Sequence, residues 1–392
     1  MAETADVVVV GGGSTGTSIA WQLAKMGAGR VVLLERRGLA AQATGITAGI
    51  VRTHYTHETL ARMALRARQV FENFDDEVGG DAGFRQTGFL ALLGPDDVDT
   101  VAANVAMHRD LGINAHILSP DEIHEIEPRL ALFGIGAAAW EPESGYADPV
   151  RTTISFANAA RRYGAELRIG VGAEQLVADT SGITGVETNA GHIATRSVIV
   201  ANGFASRGLV APLGIKLPLT PIRHVVGIMQ RADHFGKPHP IISDRVLGSY
   251  YRPREDGHTM VGKTAPYDGE EDPHVDDSPA ASPEVLELLA GRYGRRFPNQ
   301  GAPAVNGATS GLYDCSPDLQ PLLGPVPDVA GLHLAVGLSG HGFKLSPIFS
   351  QMLAEQLLTG NSTQFDITLF SPARFIQERR IVPQHAYSVS TL

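Results

Sequence analysis

Several features are scarce in this 392-residue sequence, and each scarcity excludes a class of protein. Cys315 is the only cysteine, which excludes an internal disulfide and a zinc site built from several thiolates. No stretch approaches the roughly 20 apolar residues that span a bilayer, so we expect no membrane partner. Basic residues number 32 against 42 acidic ones, and no basic cluster is present, which argues against nucleic acid as a partner.

The start of the chain and its histidines carry two further expectations. Residues 1–10 lack the basic region and the cleavage site of a secretory signal, so we expect a cytoplasmic protein. His54 and His57 are three residues apart and His124 lies in an acidic segment, a pattern that does not resemble a metal-binding set. We therefore expect no metal. A chain of this length can form two domains and enclose a large cofactor.

The hydrophobic pattern predicts a βαβ unit at the N-terminus. Residues 6–10 and 30–35 indicate buried strands, and residues 14–26 between them indicate a helix. Helices are also predicted at 58–74, 97–110, 150–163 and 343–359, and the last of these ends at Gly360. Residues 218–251 are rich in strand signals, whereas residues 268–283 read as an exposed loop. Segments of βαβ type alternate along the chain with strand-rich segments, which predicts two interleaved domains.

The turn inside the βαβ unit carries the strongest functional signal. Gly11, Gly13 and Gly16 match the G-x-G-x-x-G pattern, and Glu35 ends the second strand. The glycines permit a tight turn and close approach to a pyrophosphate, and the helix N-terminus attracts negative charge. Glu35 is placed to accept hydrogen bonds from ribose hydroxyls. The pattern does not separate FAD from NAD, but its position at the N-terminus without a second copy favours a flavin enzyme.

Two further segments suggest where a ring system and a substrate bind. Residues 337–344 form a glycine-rich turn before a helix, and Gly340 and Gly342 would let the main chain lie against a planar ring. Lys344 in the first helical turn opposes the helix dipole, which indicates that it faces an anion. Residues 44–52 form a loop of small residues that ends in Arg52, whose guanidinium suits a carboxylate.

Together these residues resemble the D-amino-acid-oxidase (DAO) superfamily, and within it the sarcosine oxidase group, over nearly the whole chain. The marks are GGGSTG with Glu35, IVRTHY at 50–55, EPESGYADP at 141–149, PIRHVVG at 221–227, YYRP at 250–253 and GLSGHGFK at 337–344. The resemblance implies an α/β fold in which a Rossmann-like FAD-binding domain interleaves with a mostly antiparallel-sheet substrate domain. We expect the FAD-binding domain at 1–82, 147–216 and 321–392, and the substrate domain at 83–146 and 217–320.

The resemblance also implies roles for particular residues. Arg52 and Lys344 would hold a substrate carboxylate, Tyr250 or Tyr251 would wall the substrate pocket, and His341 would contact the flavin. An aromatic wall suits an amine that carries N-methyl groups. The residues expected at the cofactor are Gly11, Gly13, Ser14, Thr15, Gly16, Glu35, Arg36, Thr44, Gly45, Thr47, Ala173, Ala201, Gly203, Gly340, His341, Gly342, Phe343 and Lys344.

The sequence departs from the family pattern in two ways. The cysteine that tethers flavin in monomeric sarcosine oxidase falls at Gly311, with Cys315 four residues later, and the tethering histidine of the dimethylglycine dehydrogenase branch falls near Ile46. We therefore predict noncovalent FAD. The lysine that speeds the reaction of reduced flavin with oxygen falls near Met260, and the side chain of Lys263 is not evidently directed inward, so the acceptor is oxygen or another oxidant.

The predicted function is oxidation of the C–N bond of a small amine or amino acid, namely a sarcosine-like N-alkyl amino acid or a cyclic or D-amino acid. Hydride would pass to the flavin, and the resulting imine would hydrolyse. Three alternatives stay open: oxidation of a 2-hydroxy acid, a β-type subunit that needs partner chains, and a flavin-binding scaffold without catalysis.

Overall fold

The computed structural model describes residues 3–264, 281–301 and 303–388. The predicted loop at 268–283 lies mostly outside these residues. None of the described helices combines the length and the apolar character that crossing a membrane requires.

A six-stranded sheet lies at the centre of the first half of the fold. Its order is β10-β3-β2-β14-β21-β20, with β20 antiparallel to β21 and the other neighbours parallel. The strands are β2 (Val7–Val10), β3 (Val31–Glu35), β10 (Glu166–Ile169), β14 (Val198–Val200), β20 (Leu322–Pro325) and β21 (Leu332–Val336). Runs such as Val-Val-Val-Val in β2 are wholly buried, which is typical of a parallel sheet covered on both faces.

Helices cover this sheet and place two helix N-termini at its carboxyl edge. They are α1 (Ser14–Lys25), α3 (Glu58–Glu72), α7 (Pro149–Arg162) and α10 (Gly342–Thr359). Helix α1 packs between α7 and α10, and Trp21 of α1 stacks on Phe156 of α7 with ring centroids 5.5 Å apart. The predicted C-terminal end of α10 is confirmed, because Gly360 closes the helix in the left-handed conformation, and the helix begins one residue before the predicted start.

An eight-stranded sheet forms the second half, in the order β19-β15-β18-β17-β16-β6-β8-β7. Strands β16 and β6 pair in parallel, and the other neighbours are antiparallel. The strands are β6 (Phe89–Leu93), β7 (His116–Leu118), β8 (Ala137–Glu141), β15 (Thr220–Gln230), β16 (Ile241–Asp244), β17 (Ser249–Pro253), β18 (His258–Lys263) and β19 (Val305–Cys315). Helix α9 (Pro283–Arg296) packs on one face of this sheet, and the sequence had predicted neither α9 nor β19.

Two smaller sheets and several shorter helices complete the fold. A four-stranded sheet has the order β1-β13-β12-β11, and a three-stranded sheet has the order β4-β9-β5. Their strands are β1 (Glu3–Thr4), β4 (Ile50–Val51), β5 (Arg85–Gln86), β9 (Gly145–Tyr146), β11 (Ala173–Asp179), β12 (Gly182–Thr188) and β13 (Gly191–Ala194). The short helices are α2 (Ala43–Ile46), α4 (Phe74–Glu77), α6 (Pro120–Ile126) and α8 (Ser206–Val210), and α5 (Val98–Asp110) is longer.

The predicted α/β fold with a mostly antiparallel second sheet is confirmed. The strands of the six-stranded sheet come from residues 7–35, 166–200 and 322–336, and those of the eight-stranded sheet from residues 89–141 and 220–315. The exact domain boundaries stay a prediction.

Candidate active site

The glycine-rich turn between β2 and α1 adopts a conformation that only glycine accommodates. Gly11 has φ +119°, and a Cβ there would lie 2.5 Å from the Ala201 carbonyl oxygen. A Cβ on Gly16 would lie 2.0 Å from the Gly11 carbonyl oxygen. Helix α1 begins at Ser14, whose backbone N–H donates to Thr44 Oγ1 at 3.2 Å, and residues Gly13, Ser14 and Thr15 place the positive end of the helix at a cavity.

A cavity of about 300 Å³ lies in front of this turn. Its lining includes most residues predicted to contact the cofactor, namely Gly11, Gly13, Ser14, Thr15, Glu35, Arg36, Thr44, Thr47, Ala173, Ala201, Gly203, Gly340, Gly342 and Phe343. Four predicted contacts lie outside that lining. Gly16 and Gly45 pack against backbone carbonyls, His341 is turned into the protein, and Lys344 lines a neighbouring cavity.

The polar groups of this cavity suit a dinucleotide. Glu35 is fixed at the end of β3, where its two carboxylate oxygens accept hydrogen bonds from the Gly12 and Arg37 backbone N–H groups, each at 2.7 Å. The buried Asn202 Oδ1 has no hydrogen-bond partner among the residues that the structure describes, as expected of an acceptor reserved for a ligand. Sequence analysis missed Asn202, although it follows a parallel strand at the edge where such folds bind nucleotides.

A second cavity of about 110 Å³ adjoins the first and lies against the eight-stranded sheet. Thr47, Tyr313, Gly340 and Phe343 line both cavities, so the two meet at the turn before α10. The second cavity is also lined by Ala48, Ile50, Arg52, Phe89, His224, Ser243, Arg245, Tyr250, Lys263, Thr264 and Lys344. This arrangement places a small pocket beside the end of a long one.

Arg52 and Lys344 are brought together over one aromatic ring. The Arg52 guanidinium lies 4.5 Å and the Lys344 Nζ 5.7 Å from the centroid of Tyr55. Neither forms an ion pair with any described residue, and Lys344 Nζ has the Gly340 carbonyl at 3.4 Å. Burial, and then the charge of Arg52, holds the pKa of Lys344 well below its ordinary value. An anion bound here would offset the free-energy cost of burying the charged Lys344 amine beside Arg52.

His341 does not face either cavity, which corrects the expectation that its side chain contacts the ligand. Its Nε2 lies 3.1 Å from the Leu319 carbonyl, which can only accept, so Nε2 carries the hydrogen. Its Nδ1 therefore accepts from the Tyr55 hydroxyl at 2.8 Å. Burial holds the pKa of His341 well below its ordinary value, so the ring is neutral. His341 positions Tyr55, the ring that carries both cations.

Of the two candidate tyrosines, Tyr250 lines the small cavity and Tyr251 does not. The two are neighbours in β17 and therefore point to opposite faces of the sheet. Tyr251 is fully buried against Tyr293 and Phe297, with ring centroids 5.7 Å and 5.8 Å away. The expectation for Tyr251 is therefore corrected.

Three further residues of the small cavity differ from the sequence-based expectation: His224 and Tyr313 were not predicted, and Lys263 was not expected to face inward. His224 accepts or donates a hydrogen bond at 3.1 Å with the Tyr250 hydroxyl and stacks on Tyr313, with ring centroids 4.6 Å apart. Burial, and then the charge of Lys263, lowers the pKa of His224 to about 4. Lys263 lines the cavity, contrary to the expectation that its side chain is not directed inward. The PIRHVVG segment belongs to β15, but the sequence alone does not show which of its alternating side chains face the cavity.

Ile46 and Gly311, where the resemblance would place a flavin-tethering residue, face each other here. A Cβ on Gly311 would lie 1.9 Å from Ile46 Cδ1, so the isoleucine side chain fills the space beside the glycine. Cys315 is buried, and burial raises the pKa of its thiol to about 12, which leaves little thiolate. Noncovalent binding stays a prediction that this geometry supports.

The fold and the two adjoining cavities are those of a dinucleotide-binding α/β protein, with a small second cavity lined by Arg52 and Lys344. The description "FAD dependent oxidoreductase", DAO, fits the chain over residues 6–356, and the chain belongs to this family. The predicted family and the predicted FAD cofactor are therefore confirmed.

Similar proteins agree with this assignment. The mitochondrial dimethylglycine dehydrogenase of Rattus norvegicus is 27% identical over 391 residues, which cover 95% of this chain and 45% of that protein. The chain thus spans about half the length of the curated relatives it matches first. The crystal structure of L-proline dehydrogenase from P. horikoshii has TM-score 0.88 and 28% identity, covering 97% of this chain and 100% of that one. Glycine oxidase from Geobacillus kaustophilus has TM-score 0.81 and 25% identity, covering 95% and 99%.

Proposed function

We propose that this chain oxidises the C–N bond of a small amino acid whose carboxylate binds between Arg52 and Lys344. The substrate class is a sarcosine-like N-alkyl amino acid, or a cyclic or D-amino acid. Relatives named for dimethylglycine, proline and glycine support the choice of small amino acids.

The single observation that carries the proposal is the pair of cations in the small cavity. A cavity of about 110 Å³ admits only a small molecule, and Arg52 and Lys344 offer two positive charges without a carboxylate partner among the described residues. Two cations at one point select an anionic group, and a guanidinium fork suits a carboxylate. The cavity wall also includes the aromatic side chains Phe89, Tyr250, Tyr313 and Phe343, which suit an N-alkyl group or a ring.

The residues of this chain would act by orientation and by exclusion of water. Arg52 and Lys344 fix the carboxylate end, and Tyr250 with Tyr313 confines the amine end, so that the carbon between them lies where the two cavities meet. When bound, FAD supplies the two-electron acceptor. His224 is neutral at pH 7 because its pKa is about 4, and it holds the Tyr250 hydroxyl without adding charge beside the amine.

Two alternatives share this geometry. A 2-hydroxy acid would use the same carboxylate site, and a β-type subunit would bind the same substrate but need partner chains for turnover. The amine is favoured over the hydroxy acid because the aromatic side chains of Tyr250 and Tyr313 line the cavity, and aromatic rings attract an ammonium or methylammonium group.

The test is anaerobic reduction of the yellow holoenzyme by a panel of compounds. We expect bleaching by one or more N-methyl, cyclic or D-amino acids, and none by lactate-like 2-hydroxy acids. Bleaching by hydroxy acids alone would displace the amine proposal. Reduction without turnover, restored by added partner subunits, would favour the β-type subunit.

The electron acceptor and the compartment also belong to the proposal. The resemblance places the oxygen-activating lysine near Met260, which is a buried methionine, but Lys263 lines the substrate cavity, so oxygen and another oxidant both stay open as acceptors. Stopped-flow reoxidation of the reduced enzyme measures both rates, and a faster reaction with air would identify an oxidase. Cytoplasmic location stays a prediction that cell fractionation would test.

A further inference from the structure

Three buried side chains converge at a point outside both cavities. His54 follows β4, His108 lies in α5 and Glu141 ends β8, and each is at most 3% exposed. One nitrogen of each histidine and one oxygen of the glutamate all lie within 4.8 Å of one another. No local pattern indicates this cluster, because its members are more than 30 residues apart in sequence.

The atoms that face the centre of the cluster lack partners, and the atoms that face outward have them. His54 Nδ1, His108 Nδ1 and Glu141 Oε1 are buried and without a hydrogen bond in the described part of the chain. By contrast, His54 Nε2 lies 2.7 Å from the Tyr387 hydroxyl. Glu141 Oε2 accepts from the Thr53 backbone N–H at 2.9 Å and from the Ser144 hydroxyl at 2.7 Å.

The hydrogen bonds of the cluster fix the protonation of His108. His108 Nε2 lies 2.8 Å from the Tyr55 carbonyl, which can only accept, so Nε2 carries the hydrogen. His108 Nδ1 therefore directs a lone pair into the cluster. Histidines that bind metals commonly donate their other ring N–H to a backbone carbonyl in this way. Three buried polar atoms without hydrogen-bond partners are costly unless something bridges them.

We propose that His54, His108 and Glu141 bind one divalent transition-metal ion, with zinc as the ion that best fits two imidazole nitrogens and one carboxylate oxygen. Magnesium and calcium prefer sets made of oxygen alone, whereas imidazole suits zinc and its neighbours. The predicted absence of metal rested on His54, His57 and His124 and did not consider this set.

The distances require a small contraction on binding. His54 Nδ1 and Glu141 Oε1 are 3.8 Å apart, a separation that one zinc ion can bridge. Two ligands of the same zinc lie at most about 4.2 Å apart, given bonds of about 2.1 Å. A pair separated by the full 4.8 Å must therefore close by several tenths of an ångström. A buried water could instead bridge the three atoms, and the experiment below distinguishes the two.

An ion here would stiffen the segment that forms the base of the substrate cavity. Arg52 donates a hydrogen bond to the His54 carbonyl, and the Tyr55 carbonyl accepts from His108. The same Tyr55 ring carries Arg52 and Lys344. The ion would thus join this segment to α5 and β8 from behind, without contacting the substrate.

The test measures zinc binding to the FAD-loaded chain after removal of any affinity tag. Protein is stripped with a chelating resin, incubated with zinc chloride, desalted and analysed by mass spectrometry of the metal. We expect about one zinc per wild-type chain, and at least a tenfold loss in His108→Asn and in Glu141→Gln. His192→Asn is the matched control, because His192 is exposed in another sheet, and it should retain wild-type zinc.

Two measurements keep the proposal falsifiable if a variant fails to fold. Zinc should raise the melting temperature of the stripped wild-type chain by roughly 3 °C, as expected for a ligand well above its Kd. A crystal of the zinc-treated wild type should show an anomalous peak between the three atoms at the zinc edge. A wild-type chain that binds less than a tenth of an ion, or density for water alone, would overturn the proposal. The proposal would also be overturned if His108→Asn and Glu141→Gln retained as much zinc as the wild type.

Discussion

The substitution Lys344→Met isolates one of the two cations proposed to hold the substrate carboxylate. Methionine keeps the length and the apolar character of the lysine stem but removes the charge. Lys344 is only 8% exposed and has no carboxylate partner among the described residues, so its positive charge is costly when no anion is bound. A bound carboxylate would recover part of that cost, and the variant cannot provide this gain.

The expected magnitude follows from the burial of the site. A hydrogen bond to a charged group contributes about 1.5 to 3 kcal/mol net. Direct attraction at about 4 Å and an effective dielectric constant of about 20 is about 4 kcal/mol, which is an upper bound because desolvation offsets part of it. We therefore expect the Kd of a small carboxylate to rise about 10- to 150-fold.

The assay titrates the oxidised holoenzyme with a carboxylate that has no oxidisable C–N bond, such as propionate, and follows the flavin absorbance. Propionamide serves as the ligand control, because its binding should change less than about twofold in the variant. Lys237→Met is the protein control, since Lys237 is exposed and outside both cavities. An unchanged Kd for propionate, or an equal loss for propionamide, would refute the assignment of Lys344 to the carboxylate.

Three other predictions follow from the same geometry. Carboxylate affinity should fall as pH rises through the depressed pKa of Lys344, because the Lys344 amine loses its proton in the free enzyme and carboxylate binding must restore it. The Kd measured over a series of pH values should show this dependence in the wild type and lose it in Lys344→Met. Gly16→Ala should weaken FAD binding about tenfold or more in a flavin titration, because the added Cβ would lie 2.0 Å from a backbone oxygen. Gly208→Ala is the control and should bind FAD normally, because Gly208 also lines the cavity but its added Cβ would meet nothing within 4 Å. Acid precipitation should release all the yellow colour into the supernatant, since Ile46 and Gly311 offer no nucleophile; colour in the pellet would contradict this.

The sequence was sufficient for the nucleotide-binding half because its signals are local. The glycine spacing, the strand before it and Glu35 after it lie within 30 residues, and each follows from backbone geometry that any such turn must satisfy. Local patterns also singled out Arg52 and Lys344, and the resemblance to the DAO family then implied that both hold one substrate carboxylate. The structure brings these two residues together over Tyr55, a contact that neither pattern contained.

Tertiary structure decided whatever depends on which face of an element a side chain occupies, or on contacts between distant segments. A strand alternates its faces, so only the packing of α9 on one side of β17 distinguishes Tyr250 from Tyr251. His341 turned inward because a hydroxyl and a carbonyl from other segments satisfy both ring nitrogens. His54 and Glu141 lie 87 residues apart in sequence, and no local pattern can report an encounter that the folded chain alone creates.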